Sequence, residues 1–130
     1  MLRNMDLIRE LLLRLESLPK NLSSIYLLKP GDEEIQIDGY SADQIDYHLS
    51  LISEAGLIES GRSTAVMSGY MFKRLSWAGH DFLDAVRDPE VWAKTKRGAE
   101  AAGGFTVDLL KDLAKGFLKK QVEDYTGIKL

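Results

Sequence analysis

The chain has 130 residues, 45% of them hydrophobic and 28% charged, with a net charge of −3, two histidines and no cysteine. That composition suits one globular domain with a continuous core and leaves little for a second. The missing cysteines exclude disulfides and thiolate metal sites and fit a reducing compartment, and the acidic balance gives no global attraction to nucleic acid, so local charge must decide that question.

The chain opens on a leucine-rich segment. Met5, Ile8, Leu12 and Leu15 share one helical face, widened by Leu11 and Leu18, which predicts a helix from about Met5 to Ser17. Arg9, Glu10, Arg14 and Glu16 interrupt it, which defeats both a signal-peptide core and a membrane span, so a cytoplasmic protein is expected. Pro19, Asn21, Ser23 and Ser24 form a loop. The β-prone runs Ile25 to Leu28 and Glu34 to Ile37, separated by Lys29-Pro30-Gly31-Asp32, predict a short hairpin.

Ser41 and Gln44 have capping-box spacing ahead of the stripe Ile45, Leu49 and Ile52, with His48 and Ala55 beside it, so a helix runs from about Ala42 to Ala55. Gly56 supplies a left-handed stop, and Leu57-Ile58 starts a buried strand. Ser60-Gly61-Arg62-Ser63 reads as a turn and Tyr70 to Leu75 as the returning strand. Ser76 can cap a helix carrying Trp77, Phe82, Leu83 and Val86, which ends near Asp88-Pro89. Val91 and Trp92 continue as a turn or short helix through Lys96. The run Gly98 to Gly104, with three glycines and three alanines, reads as a flexible joint, and Thr106 caps a closing helix whose Leu110, Leu113, Ala114, Phe117 and Gln121 line one face. The four aromatic residues Trp77, Phe82, Trp92 and Phe117 are most simply core, although some of them could meet a second subunit.

Helix, glycine stop, strand, polar tip and strand again is the layout of a winged helix. The segments LSLISEAGLI, Leu49 to Ile58, and RLSWAGHDFLDAVRD, Arg74 to Asp88, resemble winged-helix proteins of the kind that include many bacterial repressors. Over most of its length the chain more closely resembles an uncharacterised winged-helix family of bacterial and phage or prophage proteins, a domain of unknown function. The resemblance implies a fold and no activity. The expected architecture is therefore α+β, a winged helix over residues 1–97 with a small antiparallel sheet, followed at 98–130 by the glycine-rich joint and an amphipathic helix packed on the domain or in a dimer. One departure from the helix-turn-helix pattern stands out: the place of the positioning helix holds Ile35-Gln36-Ile37 and Asp38-Gly39-Tyr40, so that helix is missing or reduced.

The helix Ala42 to Ala55 would read the major groove in a DNA-binding winged helix, yet its expected exposed positions are Asp43, Asp46, Ser50, Ser53 and Glu54. From Asp32 to Glu59 there are eight acidic residues and no Lys or Arg, a local charge of −8 that opposes a phosphate backbone. Positive charge lies at Arg62, Lys73 and Arg74, at Lys94, Lys96 and Arg97, and at Lys111, Lys115, Lys119 and Lys120. Two readings follow. Fold analogy favours a DNA-binding, transcription-regulator-like protein using Arg62, Lys73, Lys111, Lys115 and Lys119. Charge distribution favours a protein-interaction module presenting the acidic face without DNA.

The stripe Lys111, Lys115, Lys119 either contacts phosphate or merely solvates the closing helix, with Asp108 and Asp112 available to pair with it. Leu110, Leu113 and Phe117 are the candidate homodimer interface. His48 and His80 lack metal-ligand spacing, no nucleophile elbow or phosphate loop is present, and packing roles suit both imidazoles. No catalytic residue, metal, cofactor, small-molecule ligand or membrane contact is expected, and the protein is read as a non-enzyme.

Overall fold

The asparagine ahead of the first helix starts it: the Asn4 side chain accepts the Leu7 N–H at 3.1 Å, satisfying one of the donors that a helix leaves unpaired. In a computed structural model, which describes residues 1–19, 25–60 and 69–130, helix α1 spans Met5–Glu16 and buries Met5, Leu7, Ile8, Leu11, Leu12 and Leu15. Strand β1, Tyr26–Leu28, is followed by a single 3₁₀ turn, Glu33–Ile35, and helix α2, Ala42–Glu54. Strands β2, Ile58–Glu59, β3, Tyr70–Phe72, and β4, Arg74–Leu75, precede α3, Trp77–Val86, α4, Pro89–Ala102, and α5, Val107–Thr126. The architecture is α+β with small antiparallel sheets.

The chain divides into two compact units, Met1–His80 and Asp81–Leu130. In the first unit the predicted hairpin between Ile25–Leu28 and Glu34–Ile37 does not form. β1 instead pairs antiparallel with the distant β3, Tyr26 opposite Phe72 and Leu28 opposite Tyr70. The intervening residues turn tightly: Asp32 N–H donates to the Lys29 carbonyl at 3.1 Å, and the Asp32 carboxylate accepts the Lys29 N–H at 2.8 Å. Ile35 and Ile37 are buried, so the alternation that suggested a strand reflects burial of a coiled segment. The 3₁₀ turn Glu33–Ile35, one turn long, is the helical element between β1 and α2, where the sequence implies a missing or reduced helix.

Helix α2 begins in a complete capping box: Ser41 Oγ accepts the Gln44 N–H at 3.1 Å and the Gln44 side chain accepts the Ser41 N–H at 2.9 Å. It ends in a Schellman motif, with the Leu57 N–H reaching the Ile52 carbonyl at 3.1 Å and the Gly56 N–H reaching the Ser53 carbonyl at 3.1 Å. Gly56 has φ +73°, the left-handed conformation that makes glycine the natural residue there. The chain leaves this cap directly into β2. β2 pairs antiparallel with β4, Ile58 opposite Leu75 and Glu59 opposite Arg74. The expected single strand Tyr70 to Leu75 is thus two, broken at Lys73, whose N–H donates to the Glu59 carbonyl at 2.9 Å as the strand changes partner from β1 to β2.

Ser76 starts α3 by accepting the Gly79 N–H at 3.0 Å while donating its hydroxyl to the Gly56 carbonyl. Trp77, expected in the core, is 84% exposed, because a residue in the first turn of a helix that leaves a sheet can face solvent whatever its hydropathy. Phe82, Leu83 and Val86 are buried as expected.

In the second unit, Asp88 caps α4 by accepting the Val91 N–H at 2.9 Å, with Pro89 in the first turn, where its missing N–H costs nothing. The expected break after Lys96 is not found, and of the joint expected over Gly98–Gly104 only Gly103 and Gly104 lie between helices. α4 runs unbroken to Ala102, because alanine at 99, 101 and 102 favours helix strongly enough to carry Gly98. Gly98 is a packing position: a Cβ there would lie 3.4 Å from the Leu113 side chain of α5. Val91, Trp92, Thr95 and Ala99 form the buried stripe of α4, and Leu110 and Ala114 answer it from α5.

Candidate interaction faces

The two features of helix α2 that matter lie on opposite sides. Its inner side buries Ile45, His48, Leu49 and Ile52. His48, 1% exposed, is held at both ring nitrogens: Nδ1 pairs with the Gln44 carbonyl at 2.7 Å and Nε2 accepts the Asn4 N–H at 2.8 Å. That arrangement defines the tautomer, since a carbonyl can only accept and an N–H can only donate. The Asn4 amide also donates to the Tyr40 hydroxyl at 3.4 Å. His48 is a fully satisfied packing residue that ties α2 to the start of α1.

The outer side of α2 is acidic. Asp43 and Glu54 are exposed, Asp46 is half-exposed, and Tyr47, which sequence reasoning passed over, is 37% exposed beside them. All eight carboxylates between Asp32 and Glu59 reach the surface of the unit, and no Lys or Arg lies among them in the chain. Ser50 and Ser53 are half-buried, with the Ser50 hydroxyl turned back to the Tyr47 carbonyl.

Of the basic residues proposed for nucleic-acid contact, Lys73 belongs to the first unit and Lys111, Lys115 and Lys119 to the second. Arg62 lies outside the described residues. Lys73 is half-buried, and its neighbour Arg74 is engaged with Glu59 at 2.7 Å across the β2–β4 pair. Lys111, Lys115 and Lys119 lie on α5, Lys111 half-buried and the other two exposed. Asp108 and Asp112 do not pair with them: among the described residues, none of the three lysines forms an ion pair.

Of the candidate dimer residues, Leu110 is fully buried inside its own unit, Leu113 is half-buried against Gly98, and Phe117 is half-buried. Leu110 is therefore covered without a second copy. Beyond Phe117 the exposure of α5 rises.

A cavity of about 140 Å³ in the first unit is lined by Leu15, Leu18, Tyr26, Phe72 and Leu75 together with Glu16, Arg74 and His80. The exposed His80 ring stands 3.9 Å from the Glu16 carboxylate, too far for a hydrogen bond. Among the described residues, no group of three metal-ligating side chains converges, and no helix is long and apolar enough to cross a membrane. Sequence periodicity could not pair Glu59 with Arg74 or His48 with Asn4, since neither pair shares an element.

Residues 2–105 match the family described as "Hypothetical protein (DUF2513)". A protein of Haemophilus influenzae described as uncharacterized is 32% identical over 124 residues, which cover 94% of this chain and 99% of that protein. No solved structure gives a significant match. The match to residues 2–105 spans both the N-terminal unit and all of α4, and the chain belongs to the DUF2513 family.

Proposed function

We propose that the N-terminal unit is a winged helix and that the protein is a cytoplasmic, non-enzymatic regulator or adaptor of bacterial or prophage type, which engages a basic protein partner through α2. The element order supports the fold reading: α1, β1, a reduced turn, α2, then two strands joined through residues 60–69, with β1 added to the returning strand. The observation that carries the partner reading is the outer face of α2. Asp43, Asp46, Tyr47 and Glu54 occupy the side that a reading helix would turn to the major groove, and the surrounding segment carries no cation to offset them. Against DNA such a face adds repulsion with every phosphate approached, whereas a lysine- or arginine-rich surface gains attraction and has Tyr47 to pack on.

A photo-crosslinking residue placed at Tyr47 in a bacterium expressing the protein tests this. The expected product is an adduct with a protein, lost when Asp43 and Asp46 are both changed to Lys. An adduct with DNA in its place contradicts the reading.

One observation favours a second reading, DNA contact away from α2: the lysines at 111, 115 and 119 are free of carboxylate partners. Fluorescence anisotropy on a duplex separates the two. DNA contact through α5 predicts that affinity falls with salt and that replacing all three lysines with Ala flattens the logarithmic salt slope by about 3. The protein-partner reading predicts no measurable duplex binding at physiological salt.

A further inference from the structure

The cavity in the first unit has a floor and a rim of different chemistry. Leu15, Phe72 and Leu75 are buried and close its inner side, and the half-buried Leu18 and Tyr26 wall it. On the rim, about half of the Arg74 and His80 side chains is open to solvent. The cavity holds about 140 Å³, close to the roughly 150 Å³ of an apolar cavity that takes up benzene, so it suits one six-membered ring or a branched chain of similar bulk. Walls of leucine and aromatic rings match an apolar body and offer a sugar or a phosphate nothing to bond to.

The hydrogen-bonding capacity left at the rim is on the donor side. Arg74 gives its Nε–H to Glu59 at 2.7 Å, and among the described residues its two terminal amino groups have no partner. The His80 ring and the Tyr26 hydroxyl likewise make no hydrogen bond among the described residues. Glu16, the one carboxylate in the lining, already interacts within the fold. A carboxylate head group uses such donors best, because bonds between charged partners are about twice as strong as neutral ones, whereas an amine would meet Arg74 as a like charge. We infer that the cavity binds a small apolar monocarboxylate, its ring or branched chain against Leu15, Phe72 and Leu75 and its carboxylate at Arg74 and His80. The cavity shares no residue with the outer face of α2, so a ligand here and a partner there are tested independently.

Phenylacetate is the probe, with benzyl alcohol and phenethylamine as neutral and cationic molecules of similar size. Saturation-transfer NMR on the full chain should show phenylacetate binding with a dissociation constant of roughly 1 mM, the affinity open to about ten non-hydrogen atoms. The other two probes should bind at least tenfold more weakly. Leu18→Trp fills the cavity from a half-buried position and should abolish phenylacetate binding. Arg74→Gln and His80→Gln alter only exposed positions, and each should weaken it at least threefold with the circular dichroism unchanged. Glu59→Gln, which releases the Arg74 guanidinium, should leave it as tight or tighter. No saturable binding, equal binding of the three probes, a preference for phenethylamine, or phenylacetate binding that survives both Arg74→Gln and His80→Gln overturns the proposal.

Discussion

The imidazole of His48 accepts the backbone N–H of Asn4 at 2.8 Å, joining the middle of α2 to the residue that caps α1. Because the other ring nitrogen is spent on the Gln44 carbonyl, the ring bridges two elements that are 44 residues apart in the chain. His48→Leu keeps the bulk and deletes both contacts, leaving the Asn4 N–H without its partner. The expected loss is about 1–3 kcal/mol in a urea melt, the cost of an unpaired amide in a buried site. A loss below about 0.5 kcal/mol would show that water replaces the ring nitrogen and that the bridge is incidental.

Leu49 and Trp77 should respond to truncation in the reverse order of their size. Leu49 has no exposed surface, and Leu49→Ala should cost about 2–5 kcal/mol. Trp77, the larger residue, is almost fully exposed, and Trp77→Ala should stay within about 0.5 kcal/mol. Tryptophan fluorescence checks the same geometry, since removing Trp77 should delete the red-shifted, quencher-accessible part of the emission and leave that of the buried Trp92.

Two glycines on helices give opposite signs. A Cβ on Gly79 would collide with the carbonyl of Leu57, which belongs to rigid backbone just past the α2 cap. Gly79→Ala should therefore destabilise by about 1–3 kcal/mol, the range for overpacking. Gly116, in the middle of α5, has nothing within 4 Å of the same position, and Gly116→Ala should stabilise by about 0.5–1 kcal/mol. Thermal melts of both variants against the parent decide each sign independently.

The Glu59–Arg74 pair is short but open to water, with 45% and 57% of the side chains exposed. A double-mutant cycle on Glu59→Ala and Arg74→Ala should return a coupling of about 0.2–1 kcal/mol that shrinks at high salt. A larger, salt-insensitive coupling would mean that the pair is buried in an assembly.

The elements that could be read directly from the sequence are those whose causes are local. The stripe from Met5 to Leu15 specifies α1, and Ser41, Gln44 and Gly56 bound α2 from within four residues of each terminus, whereas the Asn4 cap of α1 came only with the structure. The acidic composition of Asp32 to Glu59 was equally plain, as was the burial of Leu49 and Ile52 on one stripe. What failed depended on partners far away in the chain. Nothing near Tyr26 says that its strand pairs with Phe72 rather than with Ile35, since strand pairing is decided by which edge the fold brings alongside. Gly98 looked like a hinge because composition records its freedom, whereas only the approach of Leu113 makes its missing side chain useful in a continuous helix. The same applies to the interaction faces. Sequence gave the lysines their helical spacing and Trp77 its hydropathy, but a side chain's exposure and its ion partners are properties of the packed molecule. Tertiary structure therefore decided that Trp77 faces solvent, that Leu110 is already covered, and that Arg74 is held by Glu59, because each follows from distances between residues that the chain keeps apart.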